Sequence, residues 1–416
     1  MKKIKYIVLF FIGIIFFVSC GNAEDKIAVI WSSRQEFVRY CEIFNASQDK
    51  HKIVAHYVKN PSDELLNKNT KLPKPDLVVG CWLKGVEVRK NFSKLNSLIA
   101  EDKINPENFY SELLDLGKEE NSQLFLPVSF NLPVIIFKKD FIKPSDDFSL
   151  SLDELKKISA EYNSFEKKSY TKMGFAPIWN LEFLYLTAKG FNANFEEQGK
   201  FFSWDETSLK LAMSAIRKFT SEANTSTKAE TDFQFKYLYN NPYSAIMGGR
   251  CLFQYLRSDQ LLALSHEKMA NIDFRWFMFN NKVPLDDEVV YAGIYKKGKN
   301  KDTAKAFLKF LFSPETQKII LAETAEKNLS TFDFGIAGGF SSLRTITESV
   351  FPSYYPLLLS HLPQSKNFMA PHILPSNWLE IKETTILPYL KAATEIDVGA
   401  DIEQFQSLSG FINRMN

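Results

Sequence analysis

Along the chain, short runs rich in β-branched and aromatic residues alternate with helix-length segments whose apolar residues fall on one side. Lys26-Ile27-Ala28-Val29-Ile30-Trp31 predicts the first strand, His51 to Val58 a second and Asp76 to Cys81 a third. Leu124 to Phe130 and Val134 to Lys138 predict two more, separated by Asn131-Leu132-Pro133. Phe37, Val38, Cys41 and Phe44 keep helical spacing, so a helix is expected over 35–44. Pro73 and Pro75 end whatever helix precedes the third strand, because the residue before a proline is pushed out of the helical region. Ser151-Leu152-Asp153-Glu154 is a capping box: the serine can cap the helix and Glu154 can reach back to it. From Asp302, the residues Ala304, Phe307, Leu308 and Leu311 form a one-sided apolar stripe. Ser313-Pro314-Glu315 then stops that helix and starts the next. The alternation breaks over 340–375, which is rich in Pro and Tyr, and two helical segments follow, Asn377 to Ala392 and Ile402 to Met415. Strands alternating with helices predict an α/β fold with buried parallel sheets.

The first residues carry a different pattern. Lys2, Lys3 and Lys5 precede an apolar run of 13 residues from Tyr6 to Val18. A spanning helix needs about 20 residues, so this run predicts an export signal rather than an anchor. It ends in Phe17-Val18-Ser19-Cys20-Gly21, which resembles the lipobox of bacterial lipoproteins and implies cleavage after Ser19 and lipidation, as with palmitate, of Cys20. The chain then has 416 residues in which 51 Lys+Arg face 49 Asp+Glu; losing the three signal lysines leaves 48 against 49, a net of −1. That balance gives no argument for nucleic acid, which calls for a clustered positive field. At about 150 residues per domain, the length predicts two or three folding units.

Composition also removes chemistries. Cys41, Cys81 and Cys251 are far apart, odd in number and lack CxxC spacing, so neither a disulfide framework nor a zinc site is expected. The five histidines share no ligand spacing, and no phosphate-binding loop, nucleophile elbow or HExxH occurs. No metal and no cofactor is expected. The acidic run Asp286-Asp287-Glu288 reads as a solvated turn.

Several stretches, in order, resemble the extracellular solute-binding proteins of bacterial sugar ABC importers, the group that includes maltose-binding protein. They are Lys26 to Trp31 with Ser32-Ser33-Arg34; Lys74-Pro75-Asp76-Leu77-Val78-Val79-Gly80; Leu126 to Asp140; Ser151 to Leu155; and Gly293 through Gln317. The resemblance implies a two-lobed periplasmic-binding-protein-like (type II) fold with three interlobe crossings and a helical C-terminal segment. It places the crossings near Asn131 to Pro133, Val289 to Ala292 and Gly339 to Ser342. One lobe is then 26–130 plus 291–340, and the other 131–290 plus 341–416. A solute, carbohydrate or another polyol, would be held between lobes that close by hinge rotation. The partners implied are ABC permease subunits and, through the lipid on Cys20, the outer face of the cytoplasmic membrane. A monomer is expected.

A sugar needs planar polar groups for its hydroxyls and an aromatic face for its C–H surface. Trp31, at the end of the first strand with Ser33 and Arg34 beyond it, lies where open α/β sheets meet ligands; a core tryptophan under the first helix is the alternative. Trp82 ends the third strand. Trp179 follows Gly174-Phe175-Ala176-Pro177, and Trp378 opens the helix after the Pro-rich stretch, where relatives carry a stacking aromatic. Trp276 and Trp204 read as core and turn residues. Asn131 offers an amide at the first crossing, with a hinge turn as its other use. In Ala245-Ile246-Met247-Gly248-Gly249-Arg250-Cys251, Arg250 or Cys251 stands where a stacking Trp is common. Gly249 and Arg250 are therefore site candidates that depart from a maltodextrin platform. Two other functions compete with the receptor: an exported glycoside hydrolase, which needs a positioned acid pair, and a surface interaction lipoprotein that has lost solute transport.

Overall fold

The computed structural model describes residues 27–100, 104–139, 141, 148–199, 201–327, 334–395 and 407–415. The expected signal segment and Cys20 lie outside the described residues. The apolar runs become strands β1 (Ile27–Ser32), β2 (Lys52–Tyr57), β3 (Leu77–Gly80), β4 (Leu126–Phe130), β5 (Pro133–Lys138), β6 (Ser149–Ser151), β7 (Phe253–Arg257), β8 (Ile272–Met278), β9 (Val290–Ile294) and β10 (Phe340–Ser341). They form one sheet in the order β10-β4-β9-β3-β1-β2 and a second in the order β7-β5-β8-β6.

The sheets are mixed rather than parallel. β1 runs parallel to β2 and β3, as strand–helix alternation predicts, but β9 is antiparallel to both β3 and β4. In the second sheet β5 is antiparallel to β7 and β8, and only β6 joins parallel. β9 reaches its sheet from the other lobe, so no helical crossover imposes the parallel direction on it.

Burial explains how the sheets hold together. Along β5, Val134 and Ile136 point into one core, while Ile135 and Phe137 point into another. β8 does the same, with Phe274 and Trp276 on the first side and Phe277 on the second. The second sheet is thus buried on both faces, and its first core is continuous with that of the first sheet through Ile30, Val78 and Phe130. Each such buried side chain contributes roughly 1.5–3 kcal/mol.

The helices used below are α1 (Phe37–Ser47), α2 (Leu152–Tyr162), α3 (Leu181–Gly190), α4 (Thr227–Tyr237), α5 (Lys301–Leu311), α6 (Pro314–Glu326) and α7 (Leu387–Thr394). α2 begins at the expected capping box: Ser151 Oγ accepts from the Glu154 N–H at 3.3 Å, and Glu154 Oε2 accepts from the Ser151 N–H at 2.9 Å. α5 buries Ala304, Phe307, Leu308 and Leu311, and Pro314 opens α6.

The chain passes between the sheets first at 131–132, between β4 and β5. The second passage is 285–289 rather than Val289–Ala292, since Val290–Ile294 is β9 itself. The third lies later than Gly339–Ser342. β10 pairs with β4, and Leu343, Ile346, Phe351 and Leu358 remain in the first core. Only from Leu374 does the chain enter the second core. The Pro/Tyr-rich stretch has no period to read, yet its rings pack on Phe334 and Phe340.

Candidate functional site

The passages meet in a clasp of polar groups. Asn131, 3% exposed, donates from Nδ2 to the Gly338 carbonyl at 2.9 Å and accepts from Ser258 Oγ at 2.7 Å. Its own carbonyl accepts from the Asp286 N–H at 3.0 Å. Both ends of its amide therefore serve the hinge. Beside it, Arg257 at the end of β7 pairs with Asp259 at 2.6 Å, Glu288 at 3.5 Å and Asp286 at 3.7 Å. Arg34 reaches the same Glu288 at 3.5 Å from the loop after β1. Burial works against the Arg34 guanidinium, but Cys81, Glu288 and Glu36 around it hold its pKa above the ordinary value.

Next to the clasp stands a hub that the sequence reading missed. Asp287 is 7% exposed and is no solvated turn. Its carboxylate accepts from Lys189 Nζ at 2.5 Å and from the Tyr185 hydroxyl at 2.5 Å, both on α3, and from Trp378 Nε1 at 3.1 Å. Lys382 pairs with Glu182 at 2.5 Å and lies close enough to act on the same carboxylate. Burial alone would raise the Asp287 pKa; Lys189, Lys382 and the Tyr185 hydroxyl bring it below the ordinary value. The acids read as exposed because charge runs usually are. Here the run falls on a passage between two apolar cores, where the backbone has no exposed side.

Opposite the hub is the loop that follows β3. Trp82 sits at φ +56°, a left-handed conformation that costs an L-residue roughly 1–2 kcal/mol. Its ring packs against both cores, and its shielded indole N–H has no hydrogen-bond partner. Two residues on, Lys84 is 7% exposed and its ammonium lies 4.6 Å over the Tyr291 ring. Among the described residues it has neither an ion pair nor a hydrogen bond. Burial pulls its pKa down to about 8, against the attraction of Asp287 and Cys81. The Cys81 thiol is pushed up to about 12, chiefly by burial.

The two sides are in contact. The Val86 N–H donates to Glu197 Oε2 at 2.8 Å, and Asn60 Nδ2 donates to the Ser376 carbonyl at 2.9 Å. A Cβ on Gly85 would lie 3.2 Å from Glu197. Around the hub the free space is a cavity of 20 Å³ at Glu182 and Lys382 and one of 50 Å³ at Asn194 and His372. These hold a water or two, not a sugar ring, and neither is lined by the loop after β3.

The remaining expected residues scatter. Trp31 is 2% exposed in the core under α1, with its N–H donated to the Pro73 carbonyl at 2.9 Å. Ser33 is half-buried, its N–H donated to the Val79 carbonyl at 3.3 Å. Trp179 stacks on Phe233 at 5.7 Å and donates to the Glu230 carbonyl at 3.1 Å, within lobe two but also against the first core. Trp378 is fully buried among Tyr185, Phe195 and Phe202, so both its faces are covered in this conformation. Gly249 takes φ +65° and its carbonyl accepts from Tyr162. Arg250 is exposed, lies 4.7 Å over Tyr237 and donates to the Thr171 carbonyl, away from the hub residues. Of the nine expected residues, the interlobe region brings together Trp82, Trp378, Arg34 and Asn131; the structure adds Lys84, Tyr185, Lys189, Asp287 and Lys382 to them. Cys41, Cys81 and Cys251 are buried and free. Among the described residues no His/Cys/Asp/Glu group is arranged to hold a metal, and no helix is long and apolar enough to cross a membrane.

No protein-family model and no curated protein sequence matches the chain. Solved structures do. The sugar-binding protein MalE of Xanthomonas citri superposes with a TM-score of 0.70 at 12% identity, covering 94% of this chain and 98% of that one. The cyclic α-maltosyl-1,6-maltose binding protein of Arthrobacter globiformis gives 0.63 at 16% identity over 94% and 98%. An ABC substrate-binding protein of Listeria monocytogenes, in complex with cycloalternan, gives 0.64 at 13% identity over the same shares. The chain therefore has, along its length, the two-lobed α/β fold of these solute-binding proteins.

Proposed function

We propose that the chain is the non-catalytic, lipid-anchored receptor of an ABC importer and takes a sugar, oligosaccharide or other polyol between its lobes. The observation that carries this reading is the loop after β3. A strained Trp82 presents an indole N–H without a partner, and beside it Lys84, 7% exposed, presents an ammonium that makes no ion pair or hydrogen bond among the described residues. A buried donor left unpaired costs about 1–3 kcal/mol, and a guest rich in hydroxyl oxygens supplies what both donors lack. The similar structures, among them a cyclic α-maltosyl-1,6-maltose binding protein and a complex with cycloalternan, support that choice. Trp82 would stack on the sugar and Lys84 would bond it, with Arg34 and Asn131 setting the hinge. Trp378 would turn a face to the guest only as the lobes part. The lobes we assign are 26–130 plus 290–358, and 133–284 plus 374–416, with the passages between them.

Calorimetry with mannobiose, maltotriose and cycloalternan tests the reading. Micromolar binding of at least one, lost at least tenfold in Trp82→Ala, is expected. Export and anchoring are tested separately: Cys20→Ser should move the chain from the membrane fraction to the soluble one. The hydrogen bonds from Val86 to Glu197 and from Asn60 to Ser376 favour a second reading, an interaction lipoprotein whose cleft stays shut. It predicts binding of none of the three saccharides.

A further inference from the structure

In lobe two, a groove of 250 Å³ runs between the hairpin Ser164–Glu166/Ser169–Lys172 and α4. An engineered cavity of about 150 Å³ takes a benzene ring, so this groove admits a guest larger than a single six-membered ring. Nothing in the interlobe reading uses it.

Three features set it apart. The first is the hairpin turn. Lys167 and Lys168 take φ +48° and +70°, the two left-handed positions of a type I′ turn, where Asn-Gly is the cheap sequence. Two lysines there cost roughly 1–2 kcal/mol each, and Lys168 of the pair lines the groove. The second is charge. Lys167, Lys168, Lys172, Lys236 and Arg250 have no carboxylate partner among the described residues, while Lys228 is the one basic wall residue that is paired, to Asp232 at 2.7 Å. Lys236 and Arg250 lie over the same Tyr237 ring, at 4.9 and 4.7 Å. In a chain with a net charge of only +2, this is local concentration. The third is ring exposure. Phe165 on the hairpin, which lines the groove, is 58% exposed. Large rings left in water beside unpaired cations mark a binding surface.

The chemistry of the walls narrows the guest. Ser169, Thr225 and Ser226 supply hydroxyls and Asp232 supplies an acceptor, so the groove can both give and take hydrogen bonds. Flat rings suit the C–H face of a pyranose, and the unpaired lysines demand negative charge. We propose that this groove binds an acidic oligosaccharide, stacked on Phe165 and held through its carboxylates by Lys168 and Lys236. It is a second site, independent of the space between the lobes.

The test uses the full chain and trigalacturonate, with maltotriose as the uncharged comparison and phosphatidylglycerol vesicles as the membrane alternative. Trigalacturonate should bind, and its affinity should fall at least tenfold in Lys168→Glu/Lys236→Glu and at least threefold in Phe165→Ala. All these positions are exposed, so circular dichroism should show unchanged folding. Affinity should also fall as salt rises. In Trp82→Ala, trigalacturonate binding should stay as it was, which separates this site from the interlobe one. No trigalacturonate binding, binding indifferent to the lysine and Phe165 changes, or vesicle binding in its place would each overturn the proposal.

Discussion

Across the interlobe space, the Asp287 carboxylate accepts from a lysine, a tyrosine and a tryptophan, whereas a few residues away the Trp82 N–H and the Lys84 ammonium meet no acceptor. The hub wall is saturated and its rings are packed. The loop wall is strained and short of partners. A saturated network holds a wall in one arrangement, while unmet donors and a left-handed Trp persist only where surrounding structure imposes them, which points to use. The difference separates a wall that keeps its shape from the wall to which we assign the guest.

Removing the acceptor of the saturated wall should have the largest effect. Asp287→Ala leaves Lys189, Tyr185 and Trp378 buried without their partner, and a broken buried pair typically costs about 3–5 kcal/mol. Urea denaturation should show that loss; a change below about 1 kcal/mol would mean the hub is not the fixed wall. On the opposite wall the sign reverses. Lys84→Met removes an ammonium whose pKa burial brings to about 8, so the variant should be more stable by about 2–3 kcal/mol at pH 7. The folded pKa lies below the unfolded one, so the wild type regains this stability as pH rises from about 8 through the unfolded value. Thermal melts should therefore separate the two proteins at pH 7 and converge near the unfolded lysine pKa. The same variant should weaken solute binding.

Glu230 extends the contrast into lobe two. It is fully buried, one oxygen has no partner, and burial pushes its pKa to about 7 against the bond from Asn224. Here the folded pKa lies above the unfolded one, so its contribution is complete below the unfolded carboxylate range and is lost as pH rises through about 7. Glu230→Gln should stabilise by about 1–2 kcal/mol at pH 8 and change little at pH 4. The smallest effect is expected from Trp82→Phe, which removes the unpartnered N–H together with part of a half-buried ring: a stability loss of about 1 kcal/mol, with weaker saccharide affinity.

Much of this architecture was legible in the chain because local patterns governed it. β1, β3, β5, the capped start of α2 and the stripe of α5 follow from alternation, prolines and helical spacing. Sheet direction and the later passages were not legible, since β9 takes its direction from the lobe it leaves and 343–369 packs by aromatic contacts without a period. The site was legible in part. Trp82 and Asn131 stand at strand ends and passages, as the sequence order implies. Asp287 was hidden because an acidic triplet carries the same letters whether it lies in water or between two cores; the nearby strand Val290–Ile294 was the available signal. Lys84 was equally hidden, since its burial depends on Tyr291 and the far wall.

The central claim is that the lobes part and close on a saccharide met by the loop after β3. Small-angle scattering of the full chain, with and without mannobiose, maltotriose or cycloalternan, tests it most directly. The account predicts a smaller radius of gyration with at least one of the three, abolished in Trp82→Ala. An unchanged radius with all three would contradict it.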